Sequence, residues 1–327
     1  MGPLIWLADA SGRDVCAVSD LDLDAEDGIG EDAPCDFELT LARDASGRRV
    51  VPEGGWLWYM EGTPAGGVVD SVTSPGDGTV TCRGRTWAGV LARKVIDPGD
   101  GHVAVSGEGN AVIARVLSLC ALPGLMAAST AQSAVRVPAT ELDRFCTAWD
   151  GLWEAMRAAG ARLEMARLQG GPVVLSAVPS RTLEARGEDA SLSVTLAHRV
   201  VNHLVCAGEG QGGERVRADL YADEAGRVSE AQSLFGADEL AEYYGYSSAD
   251  RDRLVADGTR RLRGYQTRGE AEVTLSPGGP WALGDRVRAS DPVTGATVEA
   301  TVSGRVTKVA GGAASVAWTA TDARVRR

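Results

Sequence analysis

The chain has 327 residues, 45 acidic and 33 basic, for a formal charge of −12, with 44% apolar and 24% charged side chains. This excludes a disordered chain, a collagen-like repeat and a small disulfide-stapled domain, and the length suffices for two or three compact units. A net acidic surface argues against nucleic acid as a tightly held ligand. The acids are unevenly spread: residues 1–40 carry eleven Asp/Glu against Arg13 alone, whereas residues 301–327 carry five basic residues against Asp322. No window reaches 18 uninterrupted apolar residues, and the N-terminus lacks a basic n-region and a long apolar core. Neither a transmembrane helix nor a signal peptide is therefore expected. The cysteines (Cys16, Cys35, Cys82, Cys120, Cys146, Cys206) contain no CxxC and read as reduced, mostly buried thiols.

The first hundred residues read as β. Residues 4–8 form a strand, Asp9-Ala10-Ser11-Gly12 a turn, and 13–18 the return strand. Phe37, Leu39 and Leu41 alternate with polar residues across 36–41, the pattern of a half-buried strand. Residues 56–61, 68–72 and 79–83 are further strands, separated by turns at 52–55, 63–67 and 74–78. Such even spacing favours a small barrel or sandwich. Residues 86–94 read as a short amphipathic helix.

The period then changes. Asn110 is the expected N-cap of a helix with Ile113, Val116, Leu117 and Cys120 on one face. Leu142, Phe145, Cys146, Trp149, Leu152, Trp153 and Met156 fall three and four apart. They predict a continuous helix capped by Thr140 and ended by Gly160. With strands at 162–167 and 173–178, residues 100–185 read as an α+β unit. Strands return at 191–197, 198–207 and 214–221, the last two joined by Gly208-Glu209-Gly210-Gln211-Gly212-Gly213. Residues 238–244 and 249–265 read as helices, the second with Leu254, Val255, Gly258, Leu262 and Tyr265 on one face. From Glu270 onward the pattern is β, with turns at Asp291-Pro292-Val293-Thr294-Gly295 and Gly311-Gly312.

Motifs for chemistry are few. Asp20, Asp22, Asp24 and Glu31 have the spacing of calcium-loop ligands. The glycine required at the sixth position is Ala25, however, so a solvated acidic loop is the better reading. The loop 208–213 has no Lys-Ser/Thr and is followed by a strand, so it reads as a hairpin loop and not a phosphate cradle. His198, His203 and Cys206 are metal-capable types, but residues five apart on a strand face opposite ways. His102 stands alone, and neither HExxH nor GxSxG occurs. No catalytic, cofactor or metal residue is assigned, and a non-enzymatic chain without cofactor is expected.

Gly66-Gly67-Val68-Val69-Asp70-Ser71-Val72, followed by residues 80–98 with Gly84-Arg85-Thr86-Trp87-Ala88-Gly89-Val90-Leu91, resembles a signature of siphophage tail-hub proteins. These are similar to the baseplate hub of contractile-tailed phages and to the N-terminal part of tail-associated lysins. Cys35-Asp36-Phe37-Glu38-Leu39 looks like the family's second strand, with Cys35 where Gly is usual. Leu283-Gly284-Asp285-Arg286-Val287 looks like part of its C-terminal half. The resemblance implies a mainly β fold with α+β parts: two tube-type β-barrel domains interrupted by two peripheral domains. The corresponding divisions are 1–98 (first barrel), 99–187 (peripheral α+β), 188–230 with 268–327 (second barrel) and 231–267 (helical insertion). It further implies a homotrimeric structural protein of the virion, assembled in the host cytoplasm and placed at the distal end of the tail. Its partners would be the tail tube and distal tail proteins, the tape measure protein and the receptor-binding tip proteins. DNA would pass through its lumen only, and no stable membrane association is implied. Acidic charge near that channel would repel DNA. Because the chain stops at Arg327, no appended lysin domain is expected. A cell-wall hydrolase of the tail tip and a carbohydrate-binding tail accessory are the alternatives.

Overall fold

A computed structural model describes residues 3–30, 33–42, 56–74, 76, 78–97, 99, 101–266 and 269–326. The chain divides into two compact units. One comprises Met1–Leu192, Val273–Ser290 and Thr297–Ala323, and the other Ser193–Glu272, Asp291–Ala296 and Arg324–Arg327.

The first unit begins with the strands Ile5–Ala8 (β1), Asp14–Val18 (β2), Leu21–Gly28 (β3), Asp36–Ala42 (β4), Trp56–Tyr59 (β5), Gly66–Thr73 (β6) and Thr79–Thr86 (β7). The first hairpin turns where expected. The Asp9 carboxylate accepts from the Ser11 and Arg13 amides at 2.9 and 3.1 Å, and Gly12 takes φ +88°, as turn chemistry requires. Antiparallel pairing runs β3-β4-β7-β6-β5-β1-β2. Leu21, Leu23, Ala25, Phe37, Leu39 and Leu41 point inward with Ile5, Leu7, Trp56, Trp58 and Cys82 to form one core. The sheet curls around it as a half-barrel.

One expectation needs correction in this region. Residues 21–28, read as part of an acidic loop, form β3. The two-residue period of Leu21, Leu23 and Ala25 buries one face and leaves Asp22 and Asp24 on the other, so apolar alternation outweighs charge. Glu31, the turn at 52–55, Pro75, Asp77 and Pro98 lie outside the described residues.

The described signature residues, 66–72 and 80–97, form a packing junction. β6 and β7 pair with a bulge at Asp70, since Val69 opposes Gly84 and Ser71 opposes Arg83. A Cβ on Gly84 would overlap the Val68 carbonyl oxygen, and one on Gly66 would overlap the Trp87 indole. The Thr86 hydroxyl accepts from the Gly89 amide at 3.3 Å and caps Trp87–Ala92 (α1). This turns the chain so that Trp87, Val90 and Leu91 are buried.

An α+β part follows: Ala104–Glu108 (β8), Gly109–Leu119 (α2), Met126–Ala128 (β9), Arg136–Glu141 (β10), Ala148–Ala158 (α3), Ala161–Arg167 (β11) and Val173–Pro179 (β12). β8 pairs with β10, and β11-β12-β9 form a second small sheet. α2 and α3 bury Ile113, Val116, Leu152, Trp153 and Met156 in a core with Leu163 and Leu175. Both caps differ from expectation. The Glu108 carboxylate caps α2, accepting from the Ala111 amide at 2.7 Å. Asn110 is instead buried within the helix, donating to the Ala131 carbonyl at 2.7 Å and accepting from the Ala177 amide at 2.8 Å. α3 is capped by Thr147, which accepts from the Asp150 amide at 3.1 Å, whereas Thr140 belongs to β10. Phe145 at φ +61° cannot continue a right-handed helix, so the predicted stripe is helical only beyond it. Gly160 ends α3 at φ +62° as expected. Thr182–Glu184 (β13) and Ala190–Leu196 (β14) lead on.

The second unit holds His203–Ala207 (β15), Arg217–Ala222 (β16), Val228–Ser229 (β17), Ala241–Gly245 (β18) and Arg251–Gly264 (α4). The sheet order is β17-β16-β15-β18. α4 packs Leu254 and Leu262 on Leu204, Cys206, Ala218 and Leu220. Gly258 permits this approach, because a Cβ there would sit 2.7 Å from the Cys206 sulfur and 2.8 Å from Leu220 Cδ1. Of residues 238–244, expected to be helical, 241–244 instead belong to β18, which pairs parallel to β15. The tyrosines Tyr243 and Tyr244 favour a strand, and Tyr244 lies under the Arg261 guanidinium at 5.2 Å.

The chain ends in Gly269–Leu275 (β19), Arg286–Ser290 (β20), Thr297–Ala310 (β21) and Ala313–Arg326 (β22). β21 pairs antiparallel with β3, from Gly304 opposite Gly28 to Val309 opposite Leu23. β20 joins β21 on one side and β13 on the other. Gly311 and Gly312 make the expected β21–β22 turn at φ +55° and +76°. In the segment Leu283-Gly284-Asp285-Arg286-Val287, Asp285 is fully buried. It is held by Nε of Arg162 and Nε of Arg181, both at 3.0 Å.

Gly89 supplies a test of the junction. Alanine in a helix interior ordinarily gains about 1 kcal/mol over glycine, but a Cβ here would overlap the Cys35 carbonyl oxygen. Gly89→Ala is expected to lose about 1–3 kcal/mol net, measured by denaturant unfolding, and a neutral or stabilised variant would contradict the junction.

Candidate functional site

The most developed polar surface is the outward face of β21, β3, β4, β7 and β6. Register places one charge from each of four strands in a row: Lys308 opposite Asp24, Asp24 opposite Glu38, and Glu38 opposite Arg83. Lys308 pairs with Asp24 at 2.7 Å and Arg83 with Glu38 at 2.7 Å. The two central carboxylates are like-charged neighbours, an unfavourable pair relieved by a cation on either flank. The hydrogen bond to Asp24 raises the Lys308 ammonium above its ordinary value. Beside this row the bulge residue Asp70 accepts from Nε and Nη2 of Arg85 at 2.7 and 2.6 Å. That bidentate bond raises the Arg85 guanidinium likewise. A groove of about 860 Å³ runs along this face. Its rim also carries Asp22, Glu26 and Asp36, which join no ion pair among the described residues.

Beneath the same ladder lies a buried ion pair. Arg305 and Asp27 are register partners on β21 and β3, with side chains only 5% and 4% exposed. Their charged groups are in direct contact, and Arg305 Nη2 also donates to the Pro64 carbonyl at 3.2 Å. One strand position further on, the Gly28 carbonyl accepts from the Trp149 indole N–H at 2.8 Å. α3 is thereby tied to the end of β3.

The sheet face of the second unit turned away from α4 carries a smaller network. The His203 ring stacks on Tyr221 with centroids 4.3 Å apart. Its Nδ1 lies 2.6 Å from Glu239 Oε1 and its Nε2 3.1 Å from Asp219 Oδ1. Two bonds from Arg217, both 2.8 Å, hold the Asp219 carboxyl below its ordinary value, and His203 adds to this. His198 precedes β15 in non-strand backbone, and Cys206 is buried on the opposite face, so the structure does not bring the three together. His102 pairs with Glu141 at 3.1 Å. Residues 208–213 form the loop between β15 and β16, as expected of a hairpin. Among the described residues, no group of three His, Cys, Asp or Glu side chains is arranged to hold a metal. No helix among them is long and apolar enough to cross a membrane.

The partners Asp219, Lys308 and Arg305 were not legible in the sequence, since each meets its counterpart only through strand pairing, and neither was Glu239, which reaches His203 from the turn before β18. The one available signal was the alternation in residues 21–27, which marks Asp22, Asp24 and Glu26 as sharing a face.

No known family profile matches the chain, and no curated protein matches it in sequence. Solved structures match along nearly its whole length at low identity. The tail protein from Neisseria meningitidis is 13% identical, with a TM-score of 0.44, covering 98% of this chain and 97% of that one. The prophage tail protein gp18 from Listeria monocytogenes is 11% identical, with a TM-score of 0.47, covering 97% and 94%. A chain of the phage P2 baseplate is 10% identical, with a TM-score of 0.46, covering 97% and 98%.

Two measurements probe the chemistry described here. Arg305→Ala leaves the Asp27 carboxylate buried without its cation and should cost about 3–5 kcal/mol in denaturant unfolding. Arg305→Met combined with Asp27→Leu should recover most of that. Separately, burial pushes the Cys35, Cys82, Cys146 and Cys206 thiols up to about 11 from the ordinary 9.0. The unfolded chain therefore forms thiolates first, so this contribution to stability is complete below about pH 9 and is lost as pH rises through about 11. Thermal unfolding in reductant should show a melting temperature that falls over that window. A smaller fall is expected in Cys82→Ala, and an equal one would contradict the assignment.

Proposed function

We propose that the chain is a structural protein of a phage tail. It would act as a homotrimeric hub that seats on the tail tube, carries the distal receptor-binding parts and lets DNA pass during ejection. The observation that carries this reading is the resemblance of residues 66–72 and 80–98 to the tail-hub signature. Its glycines, threonine cap and buried Trp87 meet at the β6–β7–α1 junction, which gives each of those residue types a physical reason to be there. The divisions 1–98, 99–187, 188–230 with 268–327, and 231–267 belong to the same proposal, as do the tape measure and tip proteins as partners. The role is structural and requires no catalytic group or cofactor.

Symmetry supplies the logic of such a hub. A heterologous contact repeated by threefold rotation closes into a ring and does not propagate. The formal charge of −12 suits DNA as cargo, because like charges repel within a Debye length of about 8–10 Å. Imaging of assembled tails should show three copies of this 34.1 kDa chain in a ring at the distal end. Their absence from the tip, or hydrolysis of peptidoglycan by the purified chain, would replace this reading.

A further inference from the structure

Residues 143–146 form a turn in which the Cys146 amide donates to the Asp143 carbonyl at 3.2 Å. Phe145 is its third residue, at φ +61°. That position suits glycine or asparagine, and a bulky side chain there is strained. Burial does not compensate, because the ring is 55% exposed. Neighbouring backbone holds the turn in place. The Ile96 amide donates to the Cys146 carbonyl at 2.9 Å, the Ala148 amide donates to the Lys94 carbonyl at 2.7 Å, and Val95 bridges to Thr147. Val95 is itself 59% exposed. Two apolar side chains are therefore held in water on a rigid support beside α3. The Arg144 guanidinium lies 5.0 Å over the Phe145 ring, and Arg93 and Lys94 adjoin Val95. None of these three cations joins an ion pair among the described residues.

The groove on the β3–β4 face of the same unit has the opposite character. It is open, about 860 Å³ in volume, and rimmed by the carboxylates of Asp22, Glu26 and Asp36, which join no ion pair among the described residues. We propose that Phe145 and Val95 of one copy dock in this groove of a second copy, with Arg93, Lys94 and Arg144 set against Asp22, Glu26 and Asp36. The inference rests on the ring reading above and names its contact. Knob and groove are different surfaces, so the contact is head-to-tail and can close by rotation. A strained aromatic presented to solvent is already in its bound conformation, which lowers the cost of ordering it on association.

The test is the mass of the full-length chain by analytical ultracentrifugation, with ring occupancy on tails scored for the same variants if rings close only there. Phe145→Gly relieves the positive φ, so the melting temperature should rise while self-association weakens by about tenfold or more. A purely structural residue would move both in the same direction. Lys94→Glu with Arg144→Glu should abolish assembly, and so should Asp22→Lys with Asp36→Lys. Mixing the two variants should restore association between them. A wild-type ring indifferent to Phe145→Gly and to the charge exchange overturns this contact alone. A wild-type chain that forms no ring, in solution or on tails, removes the ring reading and the contact together.

Discussion

The ladder between Leu21–Gly28 and Thr297–Ala310 is the constraint on which the first unit depends. It joins positions such as Arg305 and Asp27, 278 residues apart, and closing a loop of that length costs about 5 kcal/mol of chain entropy. The return comes from both faces of the ladder. On the inner side Val309 joins Leu23 and Ala25 in the half-barrel core, and Arg305 meets Asp27 out of water. On the outer side Lys308 meets Asp24. β3 is thus an interior strand that uses both edges, with β4 on one side and β21 on the other.

The buried pair and the exposed row contribute differently. Exposed ion pairs are worth about 0–1 kcal/mol each, so the Lys308–Asp24 and Arg83–Glu38 pairs add little to global stability. Their value lies in register. A one-residue slip would turn Leu21, Leu23 and Ala25 to solvent and their acidic neighbours into the core, and would part Asp24 from Lys308. The Arg305–Asp27 pair enforces the same register more strongly, because a mispaired charge with no water around it is costly. The face that carries the candidate site is thus also the face whose pairing is most tightly specified.

The turn at Phe145 follows a different logic. Elsewhere among the described residues positive φ is almost confined to glycine, with Ala121 and Asp322 as the other exceptions. Local sequence there agrees with local structure, as a smooth folding landscape requires. At Phe145 they disagree, and the residue stays more than half exposed. Such disagreements are expected where a residue serves something outside its own chain.

Much of the fold was legible in local patterns. The Asp9–Gly12 turn, the alternation of Phe37, Leu39 and Leu41, the Gly160 stop and the apolar face of α4 rest on neighbours within a few residues, where periodicity and turn chemistry act. The misread elements were those settled by distant partners. Residues 21–28 are dense in acid, and only their place between β4 and β21 makes them a core strand. Residues 241–245 mix the helix-favouring Ala241 and Glu242 with the strand-favouring Tyr243 and Tyr244, and pairing with β15 makes them a strand. Thr140 and Thr147 are both adequate caps, and the turn at Phe145 decided between them. By itself the sequence determined the alternating faces, the turns and the resemblance at residues 66–72 and 80–98, because these depend on neighbours along the chain. Only the tertiary structure decided which charges meet, because Lys308 and Asp24, or Arg305 and Asp27, become neighbours only when the last strands return to pair with the third.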